Sequence, residues 1–85
     1  MFAIGQIVST PGARERFSTD FMTLSLARHL NGDWGDLDDE DKASNDSSLA
    51  SGGRLLSSYK KDSDTLWIIT EADRSVTTFL LPSEY

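Results

Sequence analysis

The chain has 85 residues, which is enough for one domain, and we assign residues 1–85 to that domain. Its 38% of hydrophobic and 26% of charged residues are typical of a folded protein and exclude a disordered one. No apolar run approaches the roughly 18 residues of a membrane span, so we expect a cytoplasmic protein without membrane contact. The lack of cysteine excludes disulfides, thiolate metal sites and cysteine nucleophiles.

The net charge of −6 is concentrated in one acidic segment, residues 33–46. This segment contains seven acidic residues and one lysine, whereas the rest of the chain contains seven acidic and seven basic residues. Because a negative surface repels phosphate, the asymmetry disfavours direct binding of nucleic acid or anionic lipid and favours a basic surface or a cation. The residues that we predict to contact a partner are Asp33, Trp34, Asp36, Asp38, Asp39, Glu40, Asp41 and Asp46.

The N-terminal part of the chain predicts a strand and a short helix. Phe2–Val8 is apolar and rich in β-branched residues, which favours a strand, and Gly5 within it indicates a bulge or a close approach of another backbone. Thr10 is a suitable N-cap residue, and the proline that follows it suits a first helical position. Pro11–Phe17 is therefore expected to form one or two helical turns.

Capping signals and apolar spacing predict two further helices. The first begins at Ser18-Thr19-Asp20, where the hydroxyl of either Ser18 or Thr19 could be the N-cap. It carries an apolar stripe at every fourth position as far as Leu30 and ends at Asn31-Gly32. The second is predicted over Leu37–Ala50, with Asp36 as its N-cap, and its apolar face is thin. Trp34, in the turn between the two helices, is expected to be a buried side chain that holds this polar helix down. The alternative is an exposed anchor for a partner.

The C-terminal part of the chain predicts a three-stranded meander. Arg54–Lys60 alternates in polarity, and Thr65–Leu81 contains two strands joined by a short polar loop. The first of these two strands is apolar on both faces, which predicts a central strand with Trp67 in the core. Together with the N-terminal strand, the meander predicts an α+β fold: an antiparallel sheet of about four strands with two to three helices on one face.

Four sequence runs carry a resemblance to a known family: GDWGDL at residues 32–37, GRLLS at 53–57, LWIITEADRS at 66–75 and LLPSEY at 80–85. The chain resembles a group of small uncharacterised bacterial proteins that are described as plasmid-related and are found on plasmids and integrative elements. The resemblance covers nearly the whole chain from Phe2 onward. It implies a mobile-element setting, and it implies neither an established activity nor a catalytic residue.

One alternative to a partner-binding surface is an acidic helix start that is simply solvated and is stabilised by the helix dipole. A calcium site is a second alternative. Calcium takes about six to eight oxygen ligands, and closely spaced carboxylates are its usual source in proteins. Asp33, Asp36, Asp38 and Asp41 could supply some of these ligands. Their spacing is not that of an EF-hand loop, so we expect no metal and no cofactor.

A small hydrolase is another alternative, and its candidate residues are Asp36, Glu71, Asp73 and Arg74. Their spacing matches no catalytic motif, and the last three are more typical of turn bonds and a surface ion pair. His29 is the only histidine, and its place in the last turn of a predicted helix should favour its charged form. Because no serine lies in a glycine-framed nucleophile elbow, we do not expect a catalytic dyad.

The leading hypothesis is a non-enzymatic interaction module of mobile-element origin. Its acidic face would bind a basic protein surface, and a nucleic-acid-binding enzyme is a natural target because carboxylates can imitate phosphates. The specific form of this hypothesis is inhibition of a defence complex, with an anti-restriction or anti-CRISPR outcome. An assembly factor that dimerises through an exposed edge strand is a further alternative, and the oligomeric state is left open.

Overall fold

The computed structural model describes residues 2–85 and has the α+β fold that the sequence predicts. Its elements in chain order are β1 (Gln6–Ser9), α1 (Pro11–Arg16), α2 (Thr19–Leu30), α3 (Asp39–Ser51), β2 (Leu55–Lys61), β3 (Asp64–Thr70) and β4 (Val76–Leu80), followed by a 3₁₀ turn, Pro82–Glu84. The strands form one sheet in the order β1-β4-β3-β2. No helix within residues 2–85 is long and apolar enough to cross a membrane.

The sheet contains the predicted meander, but β1 pairs in the opposite sense to the prediction. β3 is antiparallel to both β2 and β4, whereas β1 runs parallel to β4, with Gln6 beside Val76. The prediction of a purely antiparallel sheet is therefore wrong. Between β1 and its parallel partner β4 the chain passes through three helices and two strands, which supplies the long connection that parallel pairing requires. Gly5 has a φ of 61°, and a Cβ there would collide with the Ser75 carbonyl, which confirms the predicted close approach.

The core lies between one face of the sheet and the first two helices. Its buried members are Ala13, Phe17, Tyr59, Leu66, Ile68, Phe79 and Leu81, and Phe21, Met22 and Leu26 pack against them. Trp67 points to the other face of the sheet, where it is only half-buried, so the prediction that it belongs to the core is wrong. Its ring packs edge-on against Tyr85, with ring centroids 5.8 Å apart. An alternating pattern identifies the two faces of a strand, but it does not show which face the helices cover.

The first two helices begin at the predicted caps. The Thr10 hydroxyl accepts a hydrogen bond from the Ala13 N–H at 3.2 Å. The Ser18 hydroxyl accepts one from the Phe21 N–H at 3.1 Å. These side chains satisfy backbone donors that have no partner inside the helix, which explains why both helices start where they do.

The third helix begins two residues later than the predicted start at Leu37. Its N-cap is Asp38, whose carboxylate accepts a hydrogen bond from the Asp41 N–H at 2.8 Å. Asp36 does not cap the helix because its own N–H donates to the Ser58 carbonyl at 2.7 Å. This bond ties Asp36 to β2, and the helix begins three residues after it, at Asp39.

Candidate functional site

The turn that precedes α3 pairs with the outer edge of β2. The Ser58 N–H donates to the Trp34 carbonyl at 3.1 Å, and the Asp36 N–H donates to the Ser58 carbonyl at 2.7 Å. Gly35 lies between these two bonds with a φ of 78°, and a Cβ on it would collide with the Ser58 carbonyl. The turn therefore forms a short parallel bridge that requires glycine at its centre.

Trp34 is buried, which confirms the first of the two interpretations of this residue. Only 3% of it is exposed, and its ring packs edge-on against the His29 imidazole with centroids 5.7 Å apart. Its indole N–H donates to the Asp46 carboxylate of α3 at 3.0 Å. Trp34 thus ties α3 to the body of the protein and does not offer an exposed surface to a partner.

Two further side chains attach α3 to the sheet. The Asn45 amide donates to the Leu56 carbonyl at 2.6 Å and accepts from the Leu56 N–H at 3.1 Å, so it takes the place of a neighbouring strand. At the other end of the helix, the Arg74 guanidinium donates to the carbonyls of Ser48 at 3.2 Å and Gly53 at 2.7 Å. Together with the bond from Trp34 to Asp46, these bonds attach the helix in its middle and in its last turn.

The seven carboxylates of the acidic segment have different surroundings. Asp33 forms an ion pair with Arg28 at 2.6 Å, and the hydrogen bond from this guanidinium lowers the pKa of Asp33. Asp46 accepts the bond from Trp34 described above. The other five carboxylates are exposed, and no ion pair within residues 2–85 involves them. We name these five the acidic end: Asp36, Asp38, Asp39, Glu40 and Asp41.

The acidic end surrounds the N-terminus of α3 and does not line one face of the helix. Consecutive helical residues are rotated by about 100° from one another, so Asp39, Glu40 and Asp41 point in three directions. The partial positive charge of the helix N-terminus stabilises carboxylates at this position. The structure therefore places most of the predicted contact residues around one helix end, where all five side chains of the acidic end are exposed to solvent.

The residues of the two alternative sites have surroundings that explain them in other ways. No three acidic or histidine side chains within residues 2–85 come together in a way that could hold a metal ion. The residues proposed for a hydrolase, Asp36, Glu71, Asp73 and Arg74, do not line a cavity of about 420 Å³ beside α2 or one of about 170 Å³ beside α3. Glu71 instead pairs with Arg54 at 3.1 Å, and Asp73 accepts a turn hydrogen bond.

His29 belongs to a buried chain of hydroxyl groups that the sequence reasoning missed. The Thr77 hydroxyl donates to the Ile4 carbonyl at 2.8 Å, so it accepts from the Thr70 hydroxyl, also at 2.8 Å. Thr70 in turn accepts from His29 Nε2–H at 2.9 Å. His29 Nδ1 is then the acceptor for the Ser57 hydroxyl. This order of donors corresponds to a neutral imidazole with its proton on Nε2.

Burial, together with the positive charge of Arg74, lowers the pKa of His29 to about 4. The prediction of a charged helix-end histidine is therefore wrong, because the ring turns inward and packs between Phe2 and Trp34. A serine beside an imidazole resembles a nucleophile and its base, but Ser57 and His29 are both fully buried. Neither side chain is accessible to solvent, and the hydroxyl chain joins α2 to β2, β3 and β4 by hydrogen bonds.

Comparison of the chain with models of known families, with curated proteins and with solved structures found no match.

Proposed function

We propose that this chain is a non-enzymatic interaction module whose acidic end binds a basic surface on another protein. The observation that carries the proposal is the set of five exposed carboxylates around one helix end, which form no ion pair within residues 2–85. Outside the acidic end the chain has nine acidic and eight basic side chains, so it is nearly neutral there. Three ion pairs, Arg16 with Asp64, Arg28 with Asp33 and Arg54 with Glu71, neutralise part of that surface. The acidic end is thus the strongest source of electrostatic attraction on the molecule.

The way α3 is attached supports a role in binding. A helix with a thin apolar face would normally fray, yet Trp34, Asn45 and Arg74 each hold it by hydrogen bonds. Carboxylates on a fixed helix are already arranged before they meet a partner, so less conformational entropy is lost on binding. A mobile acidic loop would carry the same charge without this advantage.

The chemistry of the acidic end also suggests the class of partner. Several carboxylates around a single helix end resemble the closely spaced phosphates of a nucleic acid backbone, and basic nucleic-acid-binding surfaces are built to receive such charges. The resemblance to plasmid-related proteins supports a mobile-element setting, in which host nucleases are encountered. We therefore propose inhibition of a nucleic-acid-processing defence complex as the specific form of this function.

Affinity capture with matched variants tests the proposal. The variant Asp38→Asn, Asp39→Asn, Asp41→Asn removes three charges of the acidic end and keeps the N-cap, since asparagine caps helices as well as aspartate does. A control variant with Glu15→Gln, Asp20→Asn and Asp62→Asn removes three exposed charges elsewhere. Both variants then carry the same net charge of −3 in place of −6.

The immobilised chains are exposed to an extract of bacteria that contain nucleic-acid-processing defence complexes. We expect the wild-type chain and the control variant to capture a basic protein at about 50 mM salt and to release it at about 500 mM, because surface charges are screened. The captured protein should lose its nucleic acid when the wild-type chain is added. Capture that is equally strong with the first variant, or that resists high salt, would contradict the proposal.

A further inference from the structure

Within residues 2–85, one edge of the sheet is covered by other parts of the chain and the other edge is open. The outer edge of β2 is covered, because Ser58 pairs with the turn before α3 and Leu56 pairs with Asn45. β1 forms the other edge of the sheet, and it has a strand on one side only. Exposed strand edges promote pairing with further strands, and proteins usually block the edges that must remain free.

The backbone of β1 offers hydrogen-bonding groups on its open side. The Gln6 N–H donates to the Ser75 carbonyl and the Thr10 N–H donates to the Phe79 carbonyl, both at 3.0 Å. Because backbone groups alternate in direction along a strand, the N–H and C=O groups of the intervening odd-numbered residues, Ile7 and Ser9, point away from β4. An added strand would find two residues ready to pair.

Apolar surface flanks this open edge on both faces of the sheet. Ile7 is 48% exposed and Val8 is 36% exposed, which is unusual for β-branched residues in a strand. Beside Ile7, a groove of about 420 Å³ lies between β1 and the first two helices, and its apolar lining includes Phe17, Met22 and Leu26. A partner that fits this edge must supply both a strand and apolar side chains.

We propose that a second copy of this chain occupies the β1 edge, so that two copies form a symmetric dimer with one continuous eight-stranded sheet. A two-fold axis perpendicular to the sheet pairs β1 with itself in the antiparallel sense and keeps the helices of both copies on the same face. Each copy then supplies what the other lacks, namely a strand and an exposed Ile7 beside the groove of its partner.

The geometry of β1 selects one register for this pairing, in which Val8 lies opposite Val8 of the second copy. Ile7 then pairs with Ser9 on each side of the axis, and every outward backbone group finds a partner. Centring the axis on Ile7 would pair Ser9 with Gly5, whose φ of 61° is not that of a strand. Centring it on Ser9 would pair Ile7 with Pro11, which has no N–H to donate.

The charge distribution also favours a second copy at this edge. The acidic end lies beside β2, at the opposite side of the sheet from β1. In the dimer the two β2 strands are seven strand spacings apart, or about 34 Å at a spacing of about 4.8 Å. This separation exceeds the Debye length of about 8 Å at physiological ionic strength, so the two acidic ends barely repel each other. Both acidic ends remain free to bind the proposed basic partner. The proposed function does not depend on the dimer.

Mass measurement across a concentration series tests the dimer. Because β1 has only four residues, the interface is small and the dissociation constant should be micromolar or weaker. Sedimentation of the full chain from about 1 µM to about 1 mM should show a mass that rises from 9.4 kDa to twice that value and no further. Val8→Lys should weaken the dimer by at least about tenfold, since lysine on an edge blocks pairing. Leu49→Lys, at a 43% exposed position on α3, should leave it unchanged.

A cross-linking experiment tests the register and does not depend on the stability of the lysine variant. The natural chain has no cysteine, so Val8→Cys introduces a single thiol at the proposed axis. Opposed residues of a non-hydrogen-bonded antiparallel pair lie about 4.5 Å apart between Cα atoms, which a disulfide can span. We expect rapid oxidation to a covalent dimer, and much slower oxidation of Leu49→Cys. Equal rates for the two variants, or a wild-type chain that stays at 9.4 kDa throughout, would overturn the proposal and leave the edge to a strand from another protein.

Discussion

His29 lies between two hydroxyl groups in the interior of the protein, and its ring has no contact with solvent. A charged imidazole at this place would lose its hydration and would face the positive charge of Arg74. The folded protein therefore keeps the ring neutral and lowers its pKa to about 4, whereas an unfolded chain has a histidine pKa of about 6.5. Between these two values the unfolded chain binds a proton that the folded chain does not.

This difference predicts that the free energy of unfolding falls as the pH is lowered from 6.5 towards 4. The stability that a neutral His29 contributes is fully present at pH values above the histidine pKa of the unfolded chain. It is lost at lower pH, as His29 of the unfolded chain gains its proton. The total loss by pH 4 should be on the order of 3 kcal/mol. Urea unfolding at several pH values between 7 and 4.5 measures it, since most carboxylates titrate below that range.

The variant His29→Gln is the control for this prediction. Glutamine can hydrogen-bond to Ser57 and Thr70 but does not titrate, so its free energy of unfolding should be nearly independent of pH in the same range. It will be less stable than the wild type at pH 7. A wild-type slope that equals the slope of the variant would show that His29 is not responsible.

The burial and the contacts of a single side chain are predictable from the sequence only where nearby residues determine them. The sequence predicts a buried Trp34 because a polar helix with a thin apolar face needs an anchor, and this is confirmed. The position of His29 is not predictable in the same way, because its partners are distant in sequence. One signal is present, however. Ser57 and Thr70 occupy the inward-facing positions of their strands, and polar residues at such positions often indicate a buried hydrogen-bond network.

At the scale of elements, the cover of the β2 edge depends on a turn with an unusual backbone. Gly35 adopts a φ of 78° against the Ser58 carbonyl, and this conformation lets the flanking residues bond to β2. Without the bridge, α3 would lose its fixed starting point and the edge of β2 would be open to other strands.

We expect Gly35→Ala to lower the free energy of unfolding by about 3 kcal/mol or more. A methyl group there would be strained by the positive φ and would also push the turn away from Ser58. Gly52→Ala is a matched control, since Gly52 has a φ of 86° and a Cβ at this position would meet no other atom within 4 Å. It should lose only the cost of the left-handed conformation, about 1 kcal/mol. Equal losses in urea unfolding of the two variants would refute the role of the bridge.

The elements themselves are largely predictable, because helix caps and strand alternation are local signals. Thr10 is identifiable as one cap and the pair Ser18-Thr19 as the place of the other, and the structure uses Thr10 and Ser18. The predicted start of α3 is too early because the bond between Asp36 and Ser58 joins residues that are far apart in sequence. The parallel pairing of β1 escapes prediction for the same reason: it depends on where the helices return the chain, which no local pattern contains.

At the scale of the whole molecule, the fold consists of a compact body and one peripheral helix. The first two helices share the hydrophobic core with the sheet. Asn45 is the only residue of α3 that is buried among residues 2–85, so this helix contributes little to the core. Its attachment depends instead on a few polar contacts, and the acidic end is therefore carried by the least strongly packed part of the protein.

Amide hydrogen exchange should reveal this division. The amides of β3 pack around Leu66 and Ile68, which are fully buried, and should exchange only through global unfolding. Those of α3 should exchange through a local opening of lower free energy. Arg74→Ala removes the bonds to the end of α3, so it should accelerate exchange in α3 by about tenfold more than in β3. Arg14→Ala, which removes an equal charge from α1, should not. Uniform exchange across α3 and β3 would mean that the acidic end belongs to the same cooperative unit as the core.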